Sequence, residues 1–128
     1  MPKVQSEKLS NKEFAQNLEK RTKQFALRII NLSTKLPSTP EGKVIRYQVV
    51  KAGTSVGANY REANRAVSRA DFRNKIAICE KEASETQYWL EIIMDAELIH
   101  PEQVEANHKE CSELLAIFTS IGQSSKWK

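Results

Sequence analysis

The apolar residues of this chain recur in steps of three and four, the spacing that lays one stripe along an α-helix. The first stripe is Phe14, Leu18, Thr22, Phe25, Ile29, Leu32 and Leu36, and Ala26, Leu27 and Ile30 widen it enough to meet more than one neighbour. Asn11 is placed to cap this helix, with Glu13 in the first turn, where the dipole favours a carboxylate. Pro37 ends it, because the residue ahead of a proline avoids helical angles. Ser38 and Thr39 offer the next cap and Pro40 a helix-compatible first position. The second helix is expected from about Pro40 to Val67, with Ile45, Gln48, Ala52, Val56, Asn59, Ala63 and Ala66 facing inward.

Ser68-Arg-Ala-Asp71 reads as a capping box for a third helix, with Asp in the usual place of Glu. Phe72, Ile76, Cys79, Ala83, Thr86, Leu90 and Ile93 form its stripe, Trp89 and Ile92 extend it, and its end is expected near Ile99. Pro101 opens the fourth, with Glu102 and Glu105 in or near its first turn. Its stripe is Val104, Cys111, Leu114, Leu115, Phe118 and Ile121, and Gly122 is the expected C-terminal cap. Four long amphipathic helices with short connections predict an all-α fold: an antiparallel up-down-up-down four-helix bundle over residues 11–122. A disordered tail, 1–10, is expected before it and a flexible one, 123–128, after it, where Trp127 is either disordered or docked on a neighbouring subunit.

The second helix departs from the others in its side-chain sizes. Gly53-Thr-Ser-Val-Gly-Ala-Asn-Tyr-Arg-Glu-Ala63 is dominated by small residues, and each glycine costs about 1 kcal/mol against alanine in a helix interior. Close approach of another backbone offsets such a cost. A phosphate loop does not fit, since no strand precedes Gly53 and no Lys follows Gly57. Gly53, Val56, Gly57, Asn59, Tyr60 and Glu62 are therefore candidate helix-packing or oligomer contacts, with Asn59 a buried polar group of the kind that fixes register.

Charge sharpens this picture. The net of +4 conceals two unlike halves: 16 Lys and Arg against 6 Asp and Glu in residues 1–75, a net of +10, and 4 against 10 in residues 76–128, a net of −6. A basic face attracts nucleic acid, and basic and acidic faces on one protomer also attract each other between protomers. Arg61, Arg65 and Arg69 recur every four residues, Arg73 continues the spacing, and Lys51 and Lys75 lie nearby in sequence. Arg suits phosphate by its fork geometry, and Tyr60 offers one ring for base stacking. The alternative for the same arginines is pairing with glutamates of the third helix, within or between protomers.

The remaining chemistry is thin. Glu97-Leu-Ile-His100 has the Glu-x-x-His spacing of carboxylate-bridged metal sites, which need two such motifs; His108 has no Glu three residues before it. Glu80, Glu82, Glu85 and Glu91 crowd the third helix without a Ser/His/Asp or Cys/His companion set. No catalytic residue, metal or cofactor is expected. Cys79 and Cys111 fall at apolar positions and read as buried free thiols of a cytoplasmic protein. The polar first ten residues and the lack of a ~20-residue apolar run give no expectation of a signal peptide or membrane span.

Several runs carry a family resemblance: Arg21-Thr-Lys-Gln-Phe-Ala-Leu-Arg-Ile-Ile30, Leu36-Pro37, Ala52 to Ala63, Ala70-Asp-Phe72, and Lys81-Glu-Ala-Ser-Glu-Thr-Gln-Tyr-Trp-Leu90. In combination, from Phe14 to Phe118, the chain resembles the four-helix bundle proteins of the 23S ribosomal RNA intervening-sequence type. The fold is also similar to the accessory variability protein of diversity-generating retroelements, a basic pentameric bundle that partners a reverse transcriptase and nucleic acid. The resemblance implies a bacterial cytoplasmic protein without enzymatic activity that assembles as a homo-oligomeric ring, a pentamer. Its implied partners are its own copies and RNA or a nucleic-acid-processing protein. The function expected is non-enzymatic binding of structured RNA; the alternative is an oligomeric scaffold that touches no nucleic acid.

Overall fold

The computed structural model describes the backbone of residues 3–126 and the side chains of residues 11–124. Four helices make up the fold: α1 (Lys3–Ser33), α2 (Pro40–Ala63), α3 (Arg69–Asp95) and α4 (Pro101–Lys126). Each packs on its sequence neighbours, and α4 closes back onto α1 along the slimmest of the four seams.

The caps show why the chain breaks where it does. Thr39 is extended and its side chain accepts from the Gly42 N–H, with Pro40 at the first turn. Gly42 is required there by space, since a Cβ would lie 2.0 Å from the Pro37 carbonyl oxygen. Arg46 closes the other side of this turn, its Nε and Nη2 donating to the Ser33 and Leu36 carbonyls at 3.1 and 2.9 Å, the end of α1 where the dipole favours a cation. Ser68 is extended and accepts from the Asp71 N–H at 3.0 Å, the expected cap of α3.

Four boundaries differ from the sequence-based expectation. α1 begins at Lys3, so Asn11 lies inside it rather than at its cap; residues 3–10 contain neither proline nor glycine to stop the helix. α2 stops at Ala63, capped by Asn64, because Ser68 must be extended to cap α3 and the intervening residues form the turn. α3 stops at Asp95 in a Schellman turn: Leu98 N–H donates to Ile93 O at 3.0 Å and Glu97 N–H to Met94 O at 3.1 Å. Glu97 holds the left-handed position of that turn, with φ 53°. Gly122 lies inside α4 rather than at its end, and among the described residues no glycine has positive φ. Met1, Pro2, Trp127 and Lys128 lie outside the described residues.

The core follows the predicted stripes of α1, α3 and α4. Leu18, Thr22, Phe25, Ile29, Leu32 and Leu36 are buried, as are Ile76, Cys79, Ala83, Thr86, Leu90 and Ile93, and Val104, Cys111, Leu114 and Phe118. Burying a large aliphatic or aromatic side chain contributes about 1.5–3 kcal/mol, so this shared interior is what drives folding. On α2 the stripe is displaced: Val49 and Tyr60 are buried where Gln48 and Asn59 were expected. Tyr60 packs edge-on against Phe118, with ring centroids 5.5 Å apart, while half-buried Asn59 turns its amide to the Ser55 carbonyl at 2.8 Å. The larger apolar surface of Tyr60 outweighs the inward fit of an amide.

Candidate nucleic-acid and subunit interface

Gly53 and Gly57 set how closely α1 and α2 approach. A Cβ on Gly53 would lie 2.9 Å from Ile29 Cγ2, and one on Gly57 3.0 Å from Thr22 Oγ1 and 3.3 Å from the Thr22 backbone. Buried Val56 lies between them, its carbonyl accepting from the Cys79 thiol at 3.6 Å. Gly53, Val56, Gly57 and Tyr60 thus pack inside the protomer, whereas Asn59 is half-buried and Glu62 is exposed. Thr22, buried opposite Gly57, satisfies its own hydroxyl on the Leu18 and Glu19 carbonyls at 2.9 and 3.0 Å.

The structure divides the six candidate cations. Arg61 is held near Glu19, with Nε 3.8 Å from its carboxylate, and lines a basic groove with Lys20 and Lys23. Lys75 pairs with Glu62 at 3.2 Å. Lys51 sits on another part of α2, its ammonium 5.8 Å from the Tyr47 ring centroid, beside Lys43 and Ile30. Arg65, Arg69 and Arg73 are exposed around the α2–α3 turn, and among the described residues none has an ion pair. Pairing of these three with glutamates of α3 inside the protomer does not occur. Two of those glutamates have other partners: Glu80 accepts from Thr119 at 2.6 Å and Glu91 meets His108 Nε2 at 2.9 Å.

Tyr60 does not present a stacking face to solvent beside Arg61; it is only 3% exposed, and burial pushes its phenol above the ordinary value. Its edge instead lines a cleft of about 480 Å³ at the α2–α3 end, together with Phe14, Phe72 and Arg69.

The strongest ion pair was not anticipated. Arg21 Nε and Nη2 donate to the two Glu110 carboxylate oxygens at 2.7 Å each, and Nη2 also reaches Glu113 at 2.9 Å. This fork clamps α1 to α4, and its hydrogen bonds hold the Glu110 carboxyl below the ordinary range. The signal in the sequence was Arg21 beside the inward Thr22, facing two carboxylates three residues apart on α4.

Glu97 and His100 do not share a helix, since Glu97 lies in the Schellman turn and His100 precedes α4. Among the described residues no three His, Cys, Asp or Glu side chains converge as metal ligands. Cys79 and Cys111 are buried free thiols, each pushed up to about 12 by burial. Two buried polar atoms have no protein partner among the described residues, Trp89 Nε1 and Asn107 Oδ1. No described helix is long and apolar enough to cross a membrane.

The family model of the 23S rRNA-intervening sequence proteins matches residues 15–120, all four helices. The chain belongs to this family. A similar solved structure is that of a protein of unknown function from the S23 ribosomal protein family of Bacteroides thetaiotaomicron. It is 42% identical, with a TM-score of 0.76 over 81% of this chain and 96% of that one. No curated protein matches the chain. In this chain Gly53 and Gly57, from one of the runs that carry the resemblance, lie in the seam between α1 and α2.

Proposed function

We propose that this intervening-sequence protein is a non-enzymatic nucleic-acid-binding protein whose ligand is structured RNA, held by cations around the α2–α3 turn. The observation that carries the reading is the set Arg65, Arg69 and Arg73, exposed and without ion pairs among the described residues. Three guanidiniums left uncompensated near one another repel, and a polyanion relieves that repulsion. Arg69 and Arg73 are also one turn apart on α3, a spacing that brings both to one side of the helix.

The helix directions support the bundle expected from the sequence. Glu19 meets Arg61 and Asn64, Ile29 meets Gly53, and Ser33 meets Arg46, so numbers rise on α1 as they fall on α2. The α3–α4 pairs Glu80–Thr119, Gln87–Ser112 and Glu91–His108 behave the same way. We therefore infer the antiparallel up-down-up-down order. The unbonded thiols and the family resemblance support a bacterial, cytoplasmic setting.

The test is binding of a hairpin RNA to wild type and to the Arg65→Gln/Arg69→Gln/Arg73→Gln variant over a salt series. The expected outcome is weaker binding with a shallower salt dependence, roughly one unit of slope for each phosphate contact removed. Unchanged affinity by a folded variant would remove these arginines from the interface.

A second reading is a scaffold built from copies of this chain. Its support is the exposed apolar side chains Leu27, Ile30 and Tyr47 on α1 and α2, near Lys43 and Lys51, and Ile78 and Tyr88 on α3, the helix that carries Glu82 and Glu85. A basic apolar face on an acidic apolar face of the next copy is a head-to-tail contact, which closes into a ring when the rotation allows. The family resemblance puts that ring at five copies, and both readings can hold in one molecule. Light scattering on Leu27→Asp/Tyr47→Asp tests it: the assembly is expected to fall to monomer, and an unchanged mass would exclude this face.

A further inference from the structure

We propose that the cleft at the α2–α3 end holds a single unpaired base of the bound RNA. The inference rests on the RNA reading above and adds a subsite to it. The cleft has a volume of about 480 Å³, within the range that accepts small ligands. Phe14 and Phe72 bring aromatic rings to it from α1 and α3, and the almost wholly buried Tyr60 closes its floor from α2. Phe14 is 51% exposed, which leaves its ring open to a guest. Asn11 adds an amide group, which donates and accepts as a base edge requires, and Arg69 lies on the same wall; Asn64 also lines the cleft, with its amide donating to Glu19 at 2.9 Å.

The occupant follows from this chemistry. An exposed aromatic side chain for a flat ring, an amide for its edge and a guanidinium for an adjoining phosphate together describe a nucleotide. Among the described residues no carboxylate lines the cleft. Arg65 and Arg73 flank Arg69 in sequence at four-residue spacing and supply charge for the phosphates on either side of the base. A fully paired duplex offers no extruded base, so the cleft selects a loop or a bulge.

The experiment uses the full-length protein and a hairpin RNA carrying one bulged nucleotide, in three forms: a bulged 2-aminopurine, a bulged abasic residue, and no bulge. The proposal expects the 2-aminopurine fluorescence to change on binding. It expects the abasic and bulge-free hairpins to bind roughly 5- to 150-fold more weakly, the range carried by one stacked base. Phe14→Ala, at an exposed position, is expected to erase that difference while leaving the salt slope unchanged. Equal affinity for all three hairpins with an unchanged salt slope would overturn the base pocket and leave the RNA reading standing. No salt-dependent binding of any hairpin would overturn both. Loss of assembly mass in Phe14→Ala, with base discrimination intact, would assign the cleft to a subunit contact instead.

Discussion

At single positions, glycine separates two kinds of helix interior. Gly53 faces Ile29 so closely that a methyl group would overlap it at 2.9 Å, whereas a Cβ on Gly122 would meet Ile76 at an ordinary 3.8 Å. Gly53→Ala is therefore expected to lose about 1 kcal/mol or more of stability, overpacking exceeding the gain in helix propensity. Gly122→Ala is expected to gain about 0.5–1 kcal/mol. Urea unfolding of the two variants checks both signs together. Glu97 gives a third case: it occupies a left-handed conformation at φ 53°, and Glu97→Gly is expected to add about 1 kcal/mol by removing the Cβ strain. The thiols bear on alkaline stability. With folded values near 12 against an ordinary 9.0, Cys79 and Cys111 stay protonated in the fold after an unfolded chain has ionised them. Their contribution is complete below pH ~9 and is lost as pH rises towards ~12, at up to about 1.4 kcal/mol per pH unit for each thiol. Urea midpoints between pH 8 and 11 should fall more steeply in wild type than in Cys79→Ala/Cys111→Ala.

At the scale of helices, the α1–α4 seam is the slimmest, and the Arg21–Glu110–Glu113 fork spans it. Arg21→Met is expected to cost about 1 kcal/mol, screened because the guanidinium is partly exposed, and to speed hydrogen exchange along α1 and α4 before α2 and α3. Glu110 has its carboxyl depressed by Arg21, so its share of stability is present above the ordinary carboxylate range and is lost as pH falls through its lowered folded value. Acid unfolding of wild type and Arg21→Met should therefore converge at low pH. Much of this architecture was legible in the sequence. The inward stripes of α3, α4 and α1 from Leu18 on held because each is long, apolar and unbroken, whereas Phe14, expected inward, is half exposed. On α2 Ala52, Val56 and Ala63 held, but Val49 and Tyr60 turned inward in place of Gln48 and Asn59, because the small residues leave the period weakly marked. Helix ends were harder: the Schellman turn at Glu97 uses no glycine, and Gly122 stands where no helix ends. The Arg21 clamp joins residues 89 apart in sequence, and periodicity within one helix carries no information on such a pair.

For the whole molecule, the unlike charge of the two halves becomes a division of labour. Arg61 and Lys75 are answered by local carboxylates, Lys51 is separated along α2, and Arg65, Arg69 and Arg73 remain available at the end where the aromatic cleft opens. The sequence spacing named all of these cations, but only the packing separates those already answered from those left over. The central claim is that phosphates are the partners of that remaining set. The most direct measurement is the affinity of the intact protein for a hairpin RNA as a function of salt, with the Arg65→Gln/Arg69→Gln/Arg73→Gln variant alongside and mass followed by light scattering. The account predicts that log affinity falls linearly with log salt and that the variant's slope is shallower by about 2 to 3, with the assembly intact. Equal slopes, or a variant that loses assembly mass while wild type shows no salt-dependent binding, would contradict it and give these arginines to the subunit contacts.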